Sequence, residues 1–122
     1  MANRLFDGVE GVITGKNLDV AVIKEAEKSL GLKFSEDYKE YLQEYTIAMY
    51  DGHELTGLGK NKRTNVVNVT LSCRGYSSDI PQTWYVLEEG NVDGIVVWQD
   101  DKGHIYLGKK KISESLYDYV HK

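Results

Sequence analysis

The side chains best suited to covalent chemistry are one cysteine and three histidines. Cys73 is the only thiol of the chain, and the imidazoles are His53, His104 and His121. A thiolate beside a histidine can act as a nucleophile, so a small cysteine-dependent enzyme is one alternative. However, Cys73 lies among apolar residues on a predicted inward face, where a free cysteine usually packs as a small hydrophobic group. We therefore predict no catalytic residue.

Metal and phosphate sites are not indicated by the spacing of the polar residues. No two histidines are close in sequence, and neither a Cys-x-x-Cys nor a His-x-x-x-His motif occurs. The segment Asp100-Asp101-Lys102-Gly103 lacks the alternating oxygen ligands and the distal glutamate of a calcium loop. The segment Gly57-Leu58-Gly59-Lys60 lacks the spacing and the serine or threonine of a phosphate-binding loop. We expect no metal and no cofactor.

Aromatic and acidic side chains are better candidates for function, because they can bind another protein. Tyrosine and tryptophan combine a large apolar ring with a polar group and are favoured anchors at interfaces. Aromatic residues beside loops or strand ends are Tyr50, Tyr76, Trp84 and Tyr85. Carboxylates that could converge into an acidic patch after folding are Asp51, Glu54, Glu88, Glu89 and Asp93. We predict that these residues contribute to a partner-binding surface.

The charge of the chain favours a basic partner over nucleic acid. Fifteen basic and nineteen acidic residues give a formal net charge of −4, which repels phosphate backbones. Direct binding to nucleic acid is therefore not expected, whereas a basic protein would be attracted. The alternative is that a small negative charge serves only to keep the protein soluble.

Two amphipathic helices in tandem are the clearest signal for the fold. The first, Leu18 to Gly31, is predicted to begin after the capping residue Asp19 and to end at Gly31, where a left-handed residue is favoured. The second, Ser35 to Met49, begins with Ser35 as its cap. Apolar residues at helical spacing form the two buried faces: Ile23, Ala26 and Leu30, then Tyr38, Tyr41, Leu42, Tyr45 and Met49. Carboxylates on the outer side of the second helix are Glu36, Asp37, Glu40 and Glu44.

Short strands separated by glycine-containing turns follow the helix pair. Ahead of the pair, the apolar spacing of Leu5 to Thr14 favours a short helix. At the other end, Ser113 to His121 is predicted to form a short capped helix with Leu116, Tyr119 and Val120 inward. The predicted strands are His53 to Gly57, Trp84 to Glu88, Ile95 to Gln99 and Ile105 to Leu107, with a hairpin turn at Gly90 to Gly94.

Residues 64–74 fit two kinds of secondary structure. The run from Val66 to Leu71 has the β-branched content of a strand. Yet Val66, Val69 and Cys73 also lie on one face of a helix with the usual spacing. The residues alone leave both structures open.

Length and composition indicate one globular domain. The chain has 122 residues, of which 41% are apolar and 28% charged, as in ordinary soluble domains. No apolar run approaches the roughly 20 residues of a membrane span, and no signal peptide is evident. A single cysteine also suits a cytoplasmic protein. We predict one α+β domain over residues 1–122, with a mostly antiparallel sheet flanked by an N-terminal helix pair and a short C-terminal helix; the oligomeric state stays open.

The helix pair also resembles a known family. The residues Ile23-x-x-Ala26-Glu27-x-x-Leu30-Gly31-Leu32, followed by Asp37-Tyr38-Lys39-x-Tyr41-Leu42, resemble the N-terminal signature of the SUKH superfamily. This superfamily groups bacterial toxin-immunity proteins with the yeast cell-wall-synthesis regulator. The chain departs from its pattern in two places, because Phe34-Ser35 replaces a Leu-Pro pair and Tyr50-Asp51-Gly52 replaces an Asn-Gly-Gly-like turn. Later compatible segments are Glu54 to Leu58, Ile80-Pro81, Trp84 to Leu87, Asp93-Gly94 and Gly103 to Tyr106.

The resemblance implies a function in protein binding. A SUKH immunity protein binds a co-encoded toxin, in many cases a nuclease, and occludes its active site stoichiometrically. The eukaryotic relatives imply the alternative of a scaffold or regulator in another cellular process. The resemblance also implies a short helix within residues 64–74. We therefore predict a protein partner, namely a cognate toxin domain, and a non-enzymatic mechanism.

Overall fold

The computed structural model describes residues 5–75, 79–89 and 96–121, which contain four helices and seven strands. The helices are α1 (Val20–Leu30), α2 (Glu36–Tyr45), α3 (Val66–Arg74) and α4 (Leu116–Val120). The strands are β1 (Ile13–Thr14), β2 (Ala48–Tyr50), β3 (His53–Leu55), β4 (Tyr85–Glu89), β5 (Val96–Gln99), β6 (Ile105–Leu107) and β7 (Lys110–Ser113). No helix in these ranges has the length and apolar content of a membrane span.

The strands form one antiparallel sheet in which neighbours in sequence are also neighbours in space. Within the described residues its order runs from β1 to β7 without a crossover. The helices flank this sheet. The architecture is therefore the predicted single α+β domain with an antiparallel sheet.

Local capping sets the ends of the helix pair as predicted. The side chain of Asp19 accepts a hydrogen bond from the backbone N–H of Ala21 at 2.9 Å. Gly31 ends α1 at a φ of 67°, a conformation that glycine adopts without steric cost. The Ser35 hydroxyl accepts from the N–H of Tyr38 at 3.3 Å. The predicted inward positions are confirmed as buried at Ile23, Ala26, Leu30, Tyr38, Tyr41 and Leu42.

The second helix ends at Tyr45, so the prediction that it extends to Met49 is wrong. Thr46 has a positive φ of 65° and ends the helix, after which β2 pairs with both β1 and β3. Ala48 and Tyr50 are buried whereas Met49 is exposed, which is the alternation of a strand. Met49 follows Tyr45 by four residues, so its position fits the spacing of a helix although it lies in a strand.

The N-terminal segment does not form the predicted helix. Gly8 and Gly11 have φ values of 77° and 70°, which a right-handed helix cannot include. The segment forms turns and then β1, which pairs with β2. Leu5 and Phe6 nevertheless are buried in the core, so the segment packs through its apolar residues without a helix.

The C-terminal region contains a strand that the sequence analysis missed. β7 pairs with β6 at the edge of the sheet. Its first two residues, Lys110 and Lys111, are both exposed and polar, so the sequence does not show the alternation of apolar and polar residues that is typical of a strand. The short helix that follows is confirmed as α4, with the Ser115 hydroxyl accepting from the N–H of Asp118 at 3.1 Å. Leu116 is fully buried.

Residues 66–74 form a helix, as the family resemblance implies. The side-chain oxygen of Asn65 caps α3 by accepting from the N–H of Val67 at 3.0 Å. Val66, Val69 and Cys73 are buried on one face. Capping and burial of this face outweigh the strand propensity of the β-branched residues.

The buried residues fall into two clusters on opposite sides of β4. Tyr85 and Leu87 belong to the larger cluster beneath α1, α2 and α4, whereas Val86 belongs to a smaller cluster with Cys73 and Trp98. A β-bulge between Val86 and Glu88 shifts the pairing with β5. The predicted hairpin turn at Gly90 to Gly94 lies outside the described residues.

Candidate functional site

An open cleft of about 500 Å³ lies beside the hairpin between β2 and β3. Its walls come from the N-terminal turns, from this hairpin and from the end of α4. Segments that are distant in sequence therefore meet at one place on the surface. The lining residues are Val9, Glu10, Tyr50, Asp51, His53, Tyr119, Val120 and His121.

A tight hairpin turn brings two rings of the cleft together. Asp51 and Gly52 both have positive φ, at 44° and 80°, which is the geometry that an Asp-Gly pair favours in a two-residue hairpin. Tyr50 and His53 are consequently paired across the strands. Their rings stack with centroids 5.1 Å apart.

Glu88 lies behind this hairpin and connects three elements. Its carboxylate accepts hydrogen bonds from Nδ1 of His53 (3.0 Å), from the N–H of Glu54 (3.0 Å) and from the hydroxyl of Tyr119 (2.5 Å). Only 8% of the residue is exposed. Burial raises the pKa of Tyr119, and its hydrogen bond to the negative Glu88 raises the pKa further. Glu88 therefore holds α4 against β3 and β4.

The hydroxyl of Tyr50 is buried and has no hydrogen-bond partner within residues 5–75, 79–89 and 96–121. Burial is the main cause that raises the pKa of Tyr50, and the negative charges of Glu88 and Asp51 raise it further. The two carboxylates therefore act on the same hydroxyl. Acidic side chains line the cleft, and the unsatisfied hydroxyl lies beneath its surface.

The predicted contact residues are only partly brought together. Tyr50 and Asp51 line the cleft, and Glu88 lies next to it. Glu54 lines an adjacent shallow groove and forms an ion pair with Arg63, with 2.8 Å between the charged atoms. Asp51, Glu54 and Glu88 thus lie on neighbouring strands and their turn, but Glu54 is paired with Arg63 and Glu88 is internally hydrogen-bonded.

The other predicted contact residues belong to different surroundings. Trp84 stacks on Tyr106, with 3.9 Å between ring centroids, against the smaller core cluster. Tyr85 is fully buried, and its hydroxyl donates to Oε1 of Gln99 at 2.7 Å; it is a core residue without surface for a partner. The exposed Glu89 accepts from the thiol of Cys73 at 3.7 Å. Tyr76 and Asp93 lie outside the described residues.

Several cleft residues were missed by the sequence analysis as contact residues. His53 could have been found, because the Asp51-Gly52 turn places it opposite Tyr50 in a hairpin. Nothing in the sequence around Glu10 or His121 indicates that these residues line a cleft. The nitrogen Nε2 of His121 bonds to the carbonyl oxygen of Leu5 at 2.6 Å, a contact between the two ends of the chain.

The chemistry of Cys73 does not favour catalysis. Burial raises the pKa of its thiol to about 11, and the charge and hydrogen bonding of Glu89 act in the same direction. The reactive thiolate is therefore scarce near neutral pH. Within the described ranges, no group of three or more histidine, cysteine, aspartate or glutamate side chains is arranged to hold a metal ion.

Comparison with known proteins identifies the family. The family model SUKH_5, described as SMI1-KNR4 cell-wall, matches residues 7–122. The chain belongs to the SUKH superfamily. The fold of this chain is also similar to that of a solved structure, the crystal structure of a protein from Pseudomonas syringae pv. tomato. The TM-score is 0.70, with 14% identity over 90% of this chain and 84% of that chain. No curated protein matches the sequence. SUKH proteins generally have immunity or regulatory roles, not catalytic ones.

Proposed function

We propose that this SUKH protein is a bacterial immunity protein that acts in the cytoplasm. It binds a cognate toxin and blocks the toxin's active site in a stoichiometric complex. The observation that carries the proposal is the family match over nearly the whole chain, from residue 7 to residue 122. The predicted protein partner and non-enzymatic mechanism are parts of this proposal.

The electronegative cleft supports a basic partner, such as a nuclease that binds phosphate backbones. Glu10 and Asp51 are exposed at its walls, and the whole chain has a net charge of −4. Complementary charges accelerate encounter and disfavour partners of the wrong sign. Occupying a basic active site with an acidic surface would also exclude the nucleic acid substrate.

The exposed carboxylates, not Glu88, are the ones to test for partner binding. Glu88 supports the hairpin and α4 through its hydrogen bonds, so replacing it with lysine would disturb the fold. Asp51 is exposed at the turn itself. Asparagine tolerates the positive φ of 44° at this position as aspartate does, so a loss of binding in Asp51→Asn would report on the surface.

A regulatory or scaffolding role is the second candidate. The description of the matched family model names SMI1-KNR4 cell-wall proteins. Such a role would use the same surface for a different protein partner. It would predict that no toxin is neutralised.

Co-expression tests the immunity function directly. Each candidate toxin domain found in the genes that flank this one is expressed in a bacterial host, alone and together with this chain. We expect growth arrest in the first case and growth in the second. Asp51→Asn should reduce protection, whereas Glu25→Gln on α1, an exposed acid that does not line the cleft, should leave it intact. Failure of the unmodified chain to protect would contradict the immunity function.

A further inference from the structure

The two edges of the sheet differ in how they are protected against pairing with another strand. Within the described residues, the sheet ends at β1 on one side and at β7 on the other. β7 begins with the exposed Lys110 and Lys111, and exposed lysines are a common device that prevents one edge strand from pairing with another. Both residues of β1, Ile13 and Thr14, are exposed and uncharged. The β1 edge therefore lacks the protection that β7 has.

The backbone of β1 has hydrogen-bonding groups that point away from β2. The N–H of Gly15 donates to the carbonyl oxygen of Ile47 at 3.2 Å. Because hydrogen-bonded positions alternate along an antiparallel ladder, the backbone of Ile13 also faces β2, whereas the N–H and C=O of Thr14 point to the outer edge. Val12 packs against the core and Ile13 is exposed, so the alternation includes Val12, whose backbone groups also point outwards. Such an edge can accept an additional strand.

The side chains on the outer face of this edge are apolar. Ile13 is 59% exposed and lies opposite Met49, which is 36% exposed. Single exposed apolar side chains are ordinary in soluble proteins, but these two are neighbours at an unprotected edge. Covering Ile13 with another apolar side chain removes both from water and stabilises a complex.

Two opposite charges lie equally far along the chain from Ile13. Glu10 precedes it by three residues and Lys16 follows it by three, and both are exposed. When two identical strands pair antiparallel, a two-fold axis through Ile13 makes each residue before it face the residue equally far after it in the second copy. Glu10 then lies at the same end as Lys16 of the second copy, and the outward groups of Val12 meet those of Thr14. The edge is therefore complementary to itself in both charge and hydrogen bonding.

We propose that the chain forms a symmetric dimer in which the β1 edges of two copies pair antiparallel, with Ile13 on the two-fold axis. Val12 and Thr14 of one copy exchange backbone hydrogen bonds with Thr14 and Val12 of the second copy. The two Ile13 side chains meet at the axis, and Glu10 pairs with Lys16 at each end. The two sheets thereby continue into one. This inference goes beyond the proposed function, because the dimer needs no toxin.

Sedimentation equilibrium of the purified chain tests whether the dimer forms. A paired segment this short predicts weak association, with a dissociation constant on the order of 10–100 µM. The weight-average mass should therefore rise from that of the monomer towards that of the dimer between about 5 µM and about 1 mM protein. The mass of a monomer throughout this range would overturn the proposal and would favour a strand of another protein as the occupant of the edge.

Exchanging the two charges identifies the edge that pairs. Glu10→Lys and Lys16→Glu each place like charges opposite each other, so each should weaken the dimer about threefold to tenfold. The double variant, E10K with K16E, restores opposite charges and should return the dissociation constant to within about twofold of the unmodified value. The single variants change the net charge in opposite directions and the double variant keeps it, so a general effect of charge cannot produce this pattern. Failure of the double variant to restore association would refute the proposed register.

A substitution at the axis should have the largest effect on the dimer. Ile13→Lys brings two positive charges together and removes the apolar contact, so the dissociation constant should rise at least about tenfold. Leu71→Lys is the matched control, because Leu71 is 49% exposed and lies on α3; it should leave association unchanged. Matching amide spectra of the dilute variants establish that the fold is retained. Equal dissociation constants for Ile13→Lys and the unmodified chain would contradict the proposal.

Hydrogen exchange distinguishes pairing at the edge from other modes of dimerisation. The N–H of Ile13 points to β2, whereas that of Thr14 points to the outer edge. Raising the protein concentration through the dissociation constant should slow exchange of the Thr14 amide at least about threefold and should hardly change that of Ile13. A dimer whose Thr14 amide exchanges at an unchanged rate would place the interface elsewhere and refute pairing at β1.

Discussion

Asp37 and Glu88 both hold α4 against the domain, but their surroundings differ. Asp37 accepts hydrogen bonds from the backbone N–H of Leu116 (2.8 Å), from Nε2 of Gln99 (3.1 Å) and from the Ser35 hydroxyl. Glu88 accepts from the Tyr119 hydroxyl at 2.5 Å and also binds the hairpin between β2 and β3. Each carboxylate thus connects α4 to elements that are distant in sequence.

The neighbouring polar groups distinguish the two regions. Beside Asp37, the amide of Gln99 is further bonded to Gly103 and to the buried Tyr85 hydroxyl. Beside Glu88, the Tyr50 hydroxyl is unpaired within the described residues and an open cleft is present. Similar chemistry is therefore accompanied by paired polar groups beside Asp37 and by an unpaired hydroxyl beside Glu88. The following substitutions test this difference, from the largest expected effect to the smallest.

Asp37→Asn should cause the largest loss of stability. The amide would place donor hydrogens towards groups that already donate, so at least one charge-assisted hydrogen bond is lost. We expect the free energy of unfolding to fall by about 2–3 kcal/mol, measured by urea denaturation. Glu36→Gln is the neighbouring control, since Glu36 is exposed and pairs at the surface with Lys39; it should stay within about 0.5 kcal/mol of the unmodified protein. Equal effects would contradict a structural role of Asp37.

Glu88→Gln should destabilise less, because the Tyr119 hydroxyl and the His53 ring can accept from the new amide, while its oxygen still accepts from the N–H of Glu54. We expect a loss of about 1–2 kcal/mol in the same denaturation experiment. Removing the negative charge should also lower the pKa of Tyr119 towards its ordinary value, which an ultraviolet pH titration of the tyrosines can detect. Glu89→Gln is the adjacent control, and a similar loss there would show that the position of the carboxylate is unimportant.

Removing the side-chain hydroxyl should change the free energy of unfolding differently at two tyrosines. The Tyr41 hydroxyl donates to the carbonyl oxygen of Thr56 at 2.8 Å, so Tyr41→Phe should cost about 1 kcal/mol. The Tyr50 hydroxyl is unpaired in the described residues, so Tyr50→Phe should be neutral or stabilise by up to about 1 kcal/mol. A marked destabilisation by Tyr50→Phe would mean that the hydroxyl supports the fold, and the contrast between the two regions would fail.

The smallest expected effect concerns the rate at which the thiol of Cys73 is alkylated. With a pKa of about 11, raised because the thiolate is disfavoured, only about one thiol in a thousand is ionised at pH 8. Alkylation of the native protein should therefore be slow and should become fast in denaturant. Rapid alkylation of the native protein near neutral pH would instead revive the alternative of a cysteine-dependent enzyme.

Sequence reasoning succeeded where the deciding interactions are local. Asp19, Gly31 and Ser35 act on residues within a few positions of themselves, so their roles as caps were predictable. The strand at Met49 was missed because its pairing partners lie in β1 and β3. The helix α3 was predictable only from the family resemblance, since its propensity favours a strand.

The candidate site was less predictable, because long-range packing assembles it. Tyr50 and Asp51 were predicted from their position beside a turn, whereas the contribution of α4 depends on the bond from Tyr119 to Glu88, 31 residues away. Periodicity assigned Asp37 to the outer side of α2, yet it binds the start of α4, 79 residues later. A single sequence contains no local signal for either contact.

The most direct test of the account is a titration of toxin activity with the purified protein. The cognate toxin domain that the proposed function requires, sought among the genes that flank this one, is held at a concentration well above the dissociation constant of the complex, and its residual activity is measured as this chain is added. Stoichiometric occlusion predicts a linear decrease to zero at one equivalent, independent of incubation time. A decrease that continues with time at a small fraction of an equivalent would reveal turnover, and undiminished toxin activity at excess protein would show that no blocking complex forms; either result would contradict the account.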